Sequence, residues 1–413
     1  MNAESVIKAR GLVTTDAPAG YPSRAFPGIC LLPDGRWLCG FRGAATKDAT
    51  DKQDVYLTWS DDEGTSWSTP VAPFEASALR SVDELRKTGT VPSEACDSVP
   101  RRDCPQVFRD LRAGRFRAIQ CTALGDSRVL ATLYWVDASS PDLPFFNEET
   151  EGLLDSRIFH SVSEDDGTSW SPPALMDTAP YHQPTPITGP TLVLPDGRWA
   201  CQFELNKAYT DPKPWRHASV LMFSEDQGET WIESVEVRPD PDNQIFYWDQ
   251  RPSLLPDGSL LDVFWTYDRK RGVYLNIHAS RSVDGGRTWS PPWDTGIPGQ
   301  PAPVVAVDDA TLVMVYMDRT SHPLLKVRLS RDGGRTWPEE SECILDAFDA
   351  LTNRVGHATM QDAWAEMGAF AAGLPATAQT RDGDPLVVYY AGPDTNRTDI
   401  YRLRLASAAL LDV

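Results

Sequence analysis

The sequence predicts an all-β chain folded as a six-bladed β-propeller of four-stranded antiparallel blades, and three observations carry that expectation. A segment of the form S-x-D-x-G-x-[ST]-W recurs five times, at Ser60 to Trp67, Ser163 to Trp170, Ser224 to Trp231, Ser282 to Trp289 and Ser330 to Trp337. A second signal, an apolar run interrupted by P-D-G, precedes several of these boxes, as in Ile29 to Phe41, Thr191 to Phe203 and Ser253 to Phe264. The segment Val6 to Thr14 reads as a strand without a hairpin partner, so it is expected to pair into the last blade and close the ring.

Each element follows from turn chemistry. P-D-G between two apolar runs makes a tight hairpin, because Pro presets one dihedral and Gly accepts a positive φ. In the eight-residue box the Asp carboxylate can accept backbone N–H groups within the turn, and the Trp packs beneath it. Alternating strands such as Val55 to Trp59 and Val220 to Phe223 run directly into a box, which therefore joins the third and fourth strands of a unit. Units counted this way fall near 24–70, 99–175, 184–236, 249–295, 299–342 and 371–405, the last with Arg381-Asp382-Gly383 as its hairpin and no box. The expectation is one domain over residues 1–413, with insertions at Glu75 to Glu94 and Ser139 to Leu154 decorating the rim and few helices.

Composition narrows the function classes. A formal charge of −20 argues against nucleic acid, which requires a basic field. The 14 Trp, 12 Tyr and 14 Phe suit both strands and sugar-stacking surfaces. The 7 Cys are scattered without a C-x-x-C pair, so neither a disulfide framework nor a zinc site is suggested, and no cofactor or metal motif stands out. The N-terminus lacks an apolar signal core and no run is long enough to span a bilayer, so a cytoplasmic protein without membrane contact is expected.

Five boxes on a four-stranded unit resemble the sialidase-like (BNR, or Asp-box) superfamily over nearly the whole chain. That resemblance implies a six-bladed propeller with its ligand site at the channel mouth. In an antiparallel four-stranded blade the start of the first strand and the loop between the second and third strands share one face, opposite the box turn, so the site candidates are expected on that face. The resemblance also implies three arginines clasping a substrate carboxylate, an Asp acid/base, and a Tyr nucleophile paired with a Glu. Arg24, in S-R-A-F-P-G-I-C-L-L-P-D-G, resembles the first arginine; Arg269 and Arg319, after the second strands of the fourth and fifth blades, resemble the others. Asp48, in the loop between the second and third strands of the first blade, fits the acid/base position. Guanidinium forks suit bidentate carboxylate recognition, and a carboxylic acid with a raised pKa could protonate a leaving group.

The last blade departs from the family pattern. Gly373 to Gln379 holds no tyrosine, Tyr389 and Tyr390 sit on the following strand, and Asp249 stands near the place of the paired Glu. Other residues on the same face form a sugar-subsite inventory: Tyr247, Trp248, Asp249, Gln250 and Arg251 open the fourth blade, His182 the third, and Glu366 precedes the sixth. A carboxylate pair such as Asp48 with Asp249 or Glu366 would permit inverting hydrolysis at a separation of about 6.5–9.5 Å. The resulting expectation is a carbohydrate-active protein, an exo-acting glycoside hydrolase on an acidic small-molecule or oligosaccharide substrate. Two alternatives stay open: a uronate lyase of the same fold, and a non-catalytic glycan- or protein-binding propeller.

Overall fold

The computed structural model describes residues 3–15, 18–79, 111–181, 184–349 and 356–412. The chain is an all-β propeller, and the strands among the described residues assemble into five hydrogen-bonded sheets. Four sheets are separate blades of mainly antiparallel strands in sequence order. They are built on the strands Arg115–Gly125, Arg128–Val136 and Ser156–Ser163; Trp199–Glu204 and Ala218–Ser224; Leu260–Asp268 and Asn276–Ser282; and Leu312–Asp318 and Leu324–Ser330.

The fifth sheet corrects the expectation of six separate blades. It has seven strands, and it fuses the first and last parts of the chain. Ser23–Leu31, Trp37–Ala44 and Gln53–Ser60 form one antiparallel group; Ala372–Gln379, Pro385–Asp394, Arg397–Leu405 and Ile7–Leu12 form another. A single parallel pair, Ser23 with Thr398, links the two groups. The link exists because Thr398 Oγ1 accepts the Arg24 amide at 2.9 Å and donates to the Arg24 carbonyl at 2.6 Å.

The central strands are buried on both faces, and their alternation sends successive side chains to opposite neighbours. Trp37, Cys39 and Phe41 pack with Leu386 and Val388, whereas Leu38 packs with Ile119 and Leu133. The same division continues around the chain, through Leu130 with Cys201, Ala200 with Phe264, Leu261 with Met314, and Val313 with Val387. These apolar layers between neighbouring strand groups form most of the core.

The box turns repeat one hydrogen-bond set. At the first, Ser60 Oγ donates to Asp62 Oδ1 at 2.8 Å, the Ser66 amide donates to the same oxygen at 2.8 Å, and Ser66 Oγ donates to Oδ2 at 2.7 Å. Asp165, Asp226, Asp284 and Asp332 each accept the corresponding three bonds. Gly64 has φ 81°, which brings its amide to 2.7 Å from Ser60 Oγ. Trp67, Trp231 and Trp337 are buried under their turns.

One feature was not expected. The helix Met360–Ala369 precedes the last strand group and starts in a capping box between Thr359 and Asp362. The insertion at 139–154 is a loop tied by a bridge between Phe146 and Leu153. Of the expected insertion at 75–94, Ala76–Ala78 is a short 3-10 turn and residues from 80 onward lie outside the described residues. Among the described residues no helix is long and apolar enough to cross a membrane.

Candidate functional site

Register separates two ends of each blade. In the first strand group Trp37 pairs with Ser60 at the box end, and Ala44 pairs with Gln53 at the other. The loop 45–52 therefore lies a whole strand length from the box. At that second end is a cavity of about 730 Å³. Asp48, Asp249, Trp248, Arg251 and Arg319 all line it, although they come from three different strand groups.

Three residues of the innermost strands reach the cavity through left-handed backbone. Phe26, Asp249 and Leu374 have φ of 54°, 49° and 47°, and all three line the cavity. Phe26 and Leu374 lie at register breaks, between Ala25 and Gly28 and between Gly373 and Ala376. Asp249 lies in the gap between the strands Ile245–Trp248 and Ser253–Leu254. A non-glycine residue in this region costs about 1–3 kcal/mol, so the surrounding fold must over-determine it, and such strain concentrates at functional sites.

The walls combine aromatic faces with charge. Phe145, Phe146, Trp248 and Trp364 contribute apolar surface, with Phe146 stacked on Trp364 at 4.6 Å between ring centroids. The Asp249 carboxylate accepts the Gln300 side-chain amide at 2.5 Å, and its backbone N–H donates to Glu204 Oε1 at 2.5 Å. Arg251 stands 3.7 Å from the Asp249 carboxylate and donates to the Thr188 carbonyl. Asp48 is exposed at the cavity edge.

Beside Asp48 is a group of buried cations whose hydrogen bonds run to neutral oxygens. Arg42 donates to Gln53 Oε1 at 2.6 Å and to the carbonyls of Lys47 and Ala49 at 2.8 and 2.7 Å. Arg117 donates to the Ala49 carbonyl and Gln53 Oε1, both at 3.3 Å, and stacks over Phe145. Lys47 Nζ donates to the carbonyls of Met367 and Phe370 at 2.8 and 2.5 Å. Arg319 donates to the Ala372 carbonyl at 2.7 Å and Gln300 Oε1 at 3.2 Å, with Phe370 under its plane.

Burial, and then the charges of their neighbours, depress these groups. Arg42 is held well below its ordinary value by burial and by Arg117. Lys47 is lowered to about 7 by burial and by the Arg319 charge, with Asp48 opposing. Buried charges are normally paired with opposite ones. Here Lys47, Arg117 and Arg319 line one cavity in a chain of net charge −20.

Several expected site residues lie elsewhere. Arg24 pairs with Asp399 on the neighbouring strand group and does not line the cavity. Arg269 is bound to Glu151 at 2.7 Å, in a shallow depression with Asp242 and Gln244. Tyr247 turns into the core against Phe264. Glu366 is buried, its carboxylate 2.6 Å from His357 Nε2 on the inner side of the helix. His182 lies outside the described residues.

Conversely Lys47, Arg117, Glu204, Gln300 and Tyr390 line the cavity without having been singled out for it. Arg117 stands near the start of an innermost strand, as Arg24 does, but its hairpin turns at Gly125-Asp126-Ser127 and not at P-D-G. Lys47 was within reach of sequence reasoning, since it adjoins Asp48 in the same loop. Gln300 carried no signal at all.

The comparisons concern fold. A protein of unknown function from Dyadobacter fermentans superposes with a TM-score of 0.70 at 18% identity, covering 97% of this chain and 99% of that one. The intramolecular trans-sialidase from Ruminococcus gnavus gives 0.57 at 12% identity, covering 95% and 96%. A Trypanosoma rangeli sialidase in complex with sialic acid gives 0.60 at 11% identity, covering 98% of this chain and 60% of that one. No curated protein matches the chain. The BNR repeat-like domain matches residues 143–396, more than half of the sequence and four of its five boxes, and the chain therefore belongs to the BNR repeat-like domain family.

Proposed function

We propose that the cavity binds a sugar carrying an anionic group and that the protein is an exo-acting glycoside hydrolase on such sugars. The observation that carries this reading is the set of buried cations at the cavity, Lys47, Arg117 and Arg319, whose hydrogen bonds among the described residues run to neutral oxygens. An anionic ligand would add a directly bonded countercharge to a lining that also holds the carboxylates of Asp48, Glu148, Glu204 and Asp249, and the aromatic walls would stack on the apolar face of a sugar ring. We also read the seven-stranded sheet as two blades joined by one bridge, giving a ring of six; the support is the apolar layer between each neighbouring pair of strand groups.

In the proposed reaction Asp48 is the residue that passes a proton to the glycosidic oxygen as the bond to the anomeric carbon breaks. The Asp249 carboxylate takes a proton from the water whose oxygen bonds to that carbon. Solvent then returns both carboxyls to their starting states. A second reading, ligand binding without turnover, is favoured by the strand Ala372–Gln379, which carries no tyrosine.

Release of reducing sugar from acidic and neutral aryl glycosides tests both readings. Hydrolysis of acidic glycosides only, lost in Asp48→Asn, is the expected result. Tight binding of the acidic sugar with no hydrolysis would select the second reading, and preference for neutral glycosides would overturn both.

A further inference from the structure

We infer that Gln300 is a positioning residue that holds the Asp249 carboxylate and the Arg319 guanidinium apart, so that both stay available to a ligand and do not close into an ion pair. The inference rests on the acidic-sugar reading of the cavity, but its geometry stands by itself.

Gln300 begins the innermost strand of its group, paired with Met317, and its side chain is buried at the cavity. Its Nε2 donates to Asp249 Oδ2 at 2.5 Å. Its Oε1 accepts from Arg319 Nη2 at 3.2 Å and from the Leu374 amide at 3.4 Å. The amide orientation follows from these partners, because a flip would set NH₂ against the guanidinium and oxygen against the carboxylate. One neutral group thus touches an anion from the fourth unit, a cation from the fifth and strained backbone from the sixth.

The surroundings fit this role. Gly373 leaves the space that Arg319 Nη2 occupies, since a Cβ there would collide with the guanidinium. The Arg319 plane is braced on the Phe370 ring, 4.2 Å below. A guanidinium locked to Asp249 would have its bidentate edge filled and its charge cancelled, whereas one bonded to an amide and a carbonyl keeps its charge for an incoming anion. Gln is the residue type that can satisfy both neighbours without adding charge.

Two substitutions test this. Gln300→Glu keeps the shape but sets a carboxylate against Arg319 and beside Asp249. It should weaken binding of galacturonate and N-acetylneuraminate at least tenfold while leaving galactose binding unchanged. Gln300→Met removes the amide, and its crystal structure should show Asp249 and Arg319 closed into a direct ion pair. Acidic-sugar affinity within twofold of wild type in folded Gln300→Glu would overturn the inference, as would Asp249 and Arg319 remaining apart in Gln300→Met. If the wild-type protein binds neither acidic sugar, the site reading fails, and the Gln300→Met structure still decides the role of Gln300.

Discussion

The two ends of the blades use charge in opposite ways. At the box end every Asp is saturated: three donors from its own turn hold each carboxylate, and the pattern is the same at Asp62, Asp165, Asp226, Asp284 and Asp332. At the cavity end the side chains differ from one strand group to the next, and buried cations face neutral oxygens; left-handed non-glycine backbone occurs at both ends, at Phe26, Asp249 and Leu374 here and at Glu63, Asp166 and Gln227 in the box turns. Repetition with satisfied groups marks a region that holds the fold. Irregularity with buried cations on neutral oxygens marks a region that does something else.

The largest effects should separate the two ends. Trp337→Ala removes a buried ring beneath a box turn and should cost about 3–5 kcal/mol of stability by thermal unfolding, with ligand affinity unchanged in the folded fraction. Asp48→Asn should do the reverse, lowering turnover about 10²-fold or more with the melting temperature kept, because Asp48 is exposed. A large stability loss in Asp48→Asn would break the contrast. Asp284→Ala deletes hydrogen bonds in an exposed turn and should cost about 1–3 kcal/mol, with no effect on affinity.

Acid and neutral pH should also address different ends. Asp62 and Asp165 are held at about 2 by the amides and hydroxyls of Ser66 and Ser169 and by the box serines, below the ordinary 3.8. Their folded-state values are depressed, so their contribution is present above pH 4 and fades as pH falls toward 2. Lys47, lowered to about 7, changes charge near neutrality. In the free protein it is protonated below that value, so acidic-ligand affinity should weaken as pH rises from 6 to 8, to be read by titration calorimetry, and Lys47→Met should flatten that dependence.

The box end was legible in the sequence because its interactions are local. Ser60, Asp62, Gly64 and Ser66 bond to one another within seven residues, so spacing alone specifies the turn. P-D-G hairpins are local in the same sense. Topology also placed Asp48, Asp249 and Arg319 at the end away from the boxes, and the three line one cavity. Of the arginines expected at the site, Arg251 and Arg319 line that cavity and Arg24 and Arg269 do not, while Arg117, which does, was not legible. Arg24 and Arg117 stand at similar places in successive units, but Asp399, 375 positions away, draws the first into an ion pair. Gln300 was invisible for the same reason, since its partners Asp249 and Leu374 are 51 and 74 positions distant. The fusion of the first and last strand groups depends on Thr398, which no motif marks.

The central claim is that the cavity's buried cations, hydrogen-bonded to neutral oxygens, serve a ligand and not the fold, and Arg319→Met tests it most directly. Calorimetric titration with acidic and neutral monosaccharides, set beside thermal unfolding of the same samples, gives both quantities. The account predicts loss of acidic-sugar binding by at least tenfold, unchanged neutral-sugar binding, and a stability change within about 1 kcal/mol, since removing a buried, desolvated charge offsets the lost hydrogen bonds. Unchanged acidic-sugar affinity, together with a stability loss as large as that of Trp337→Ala, would contradict it.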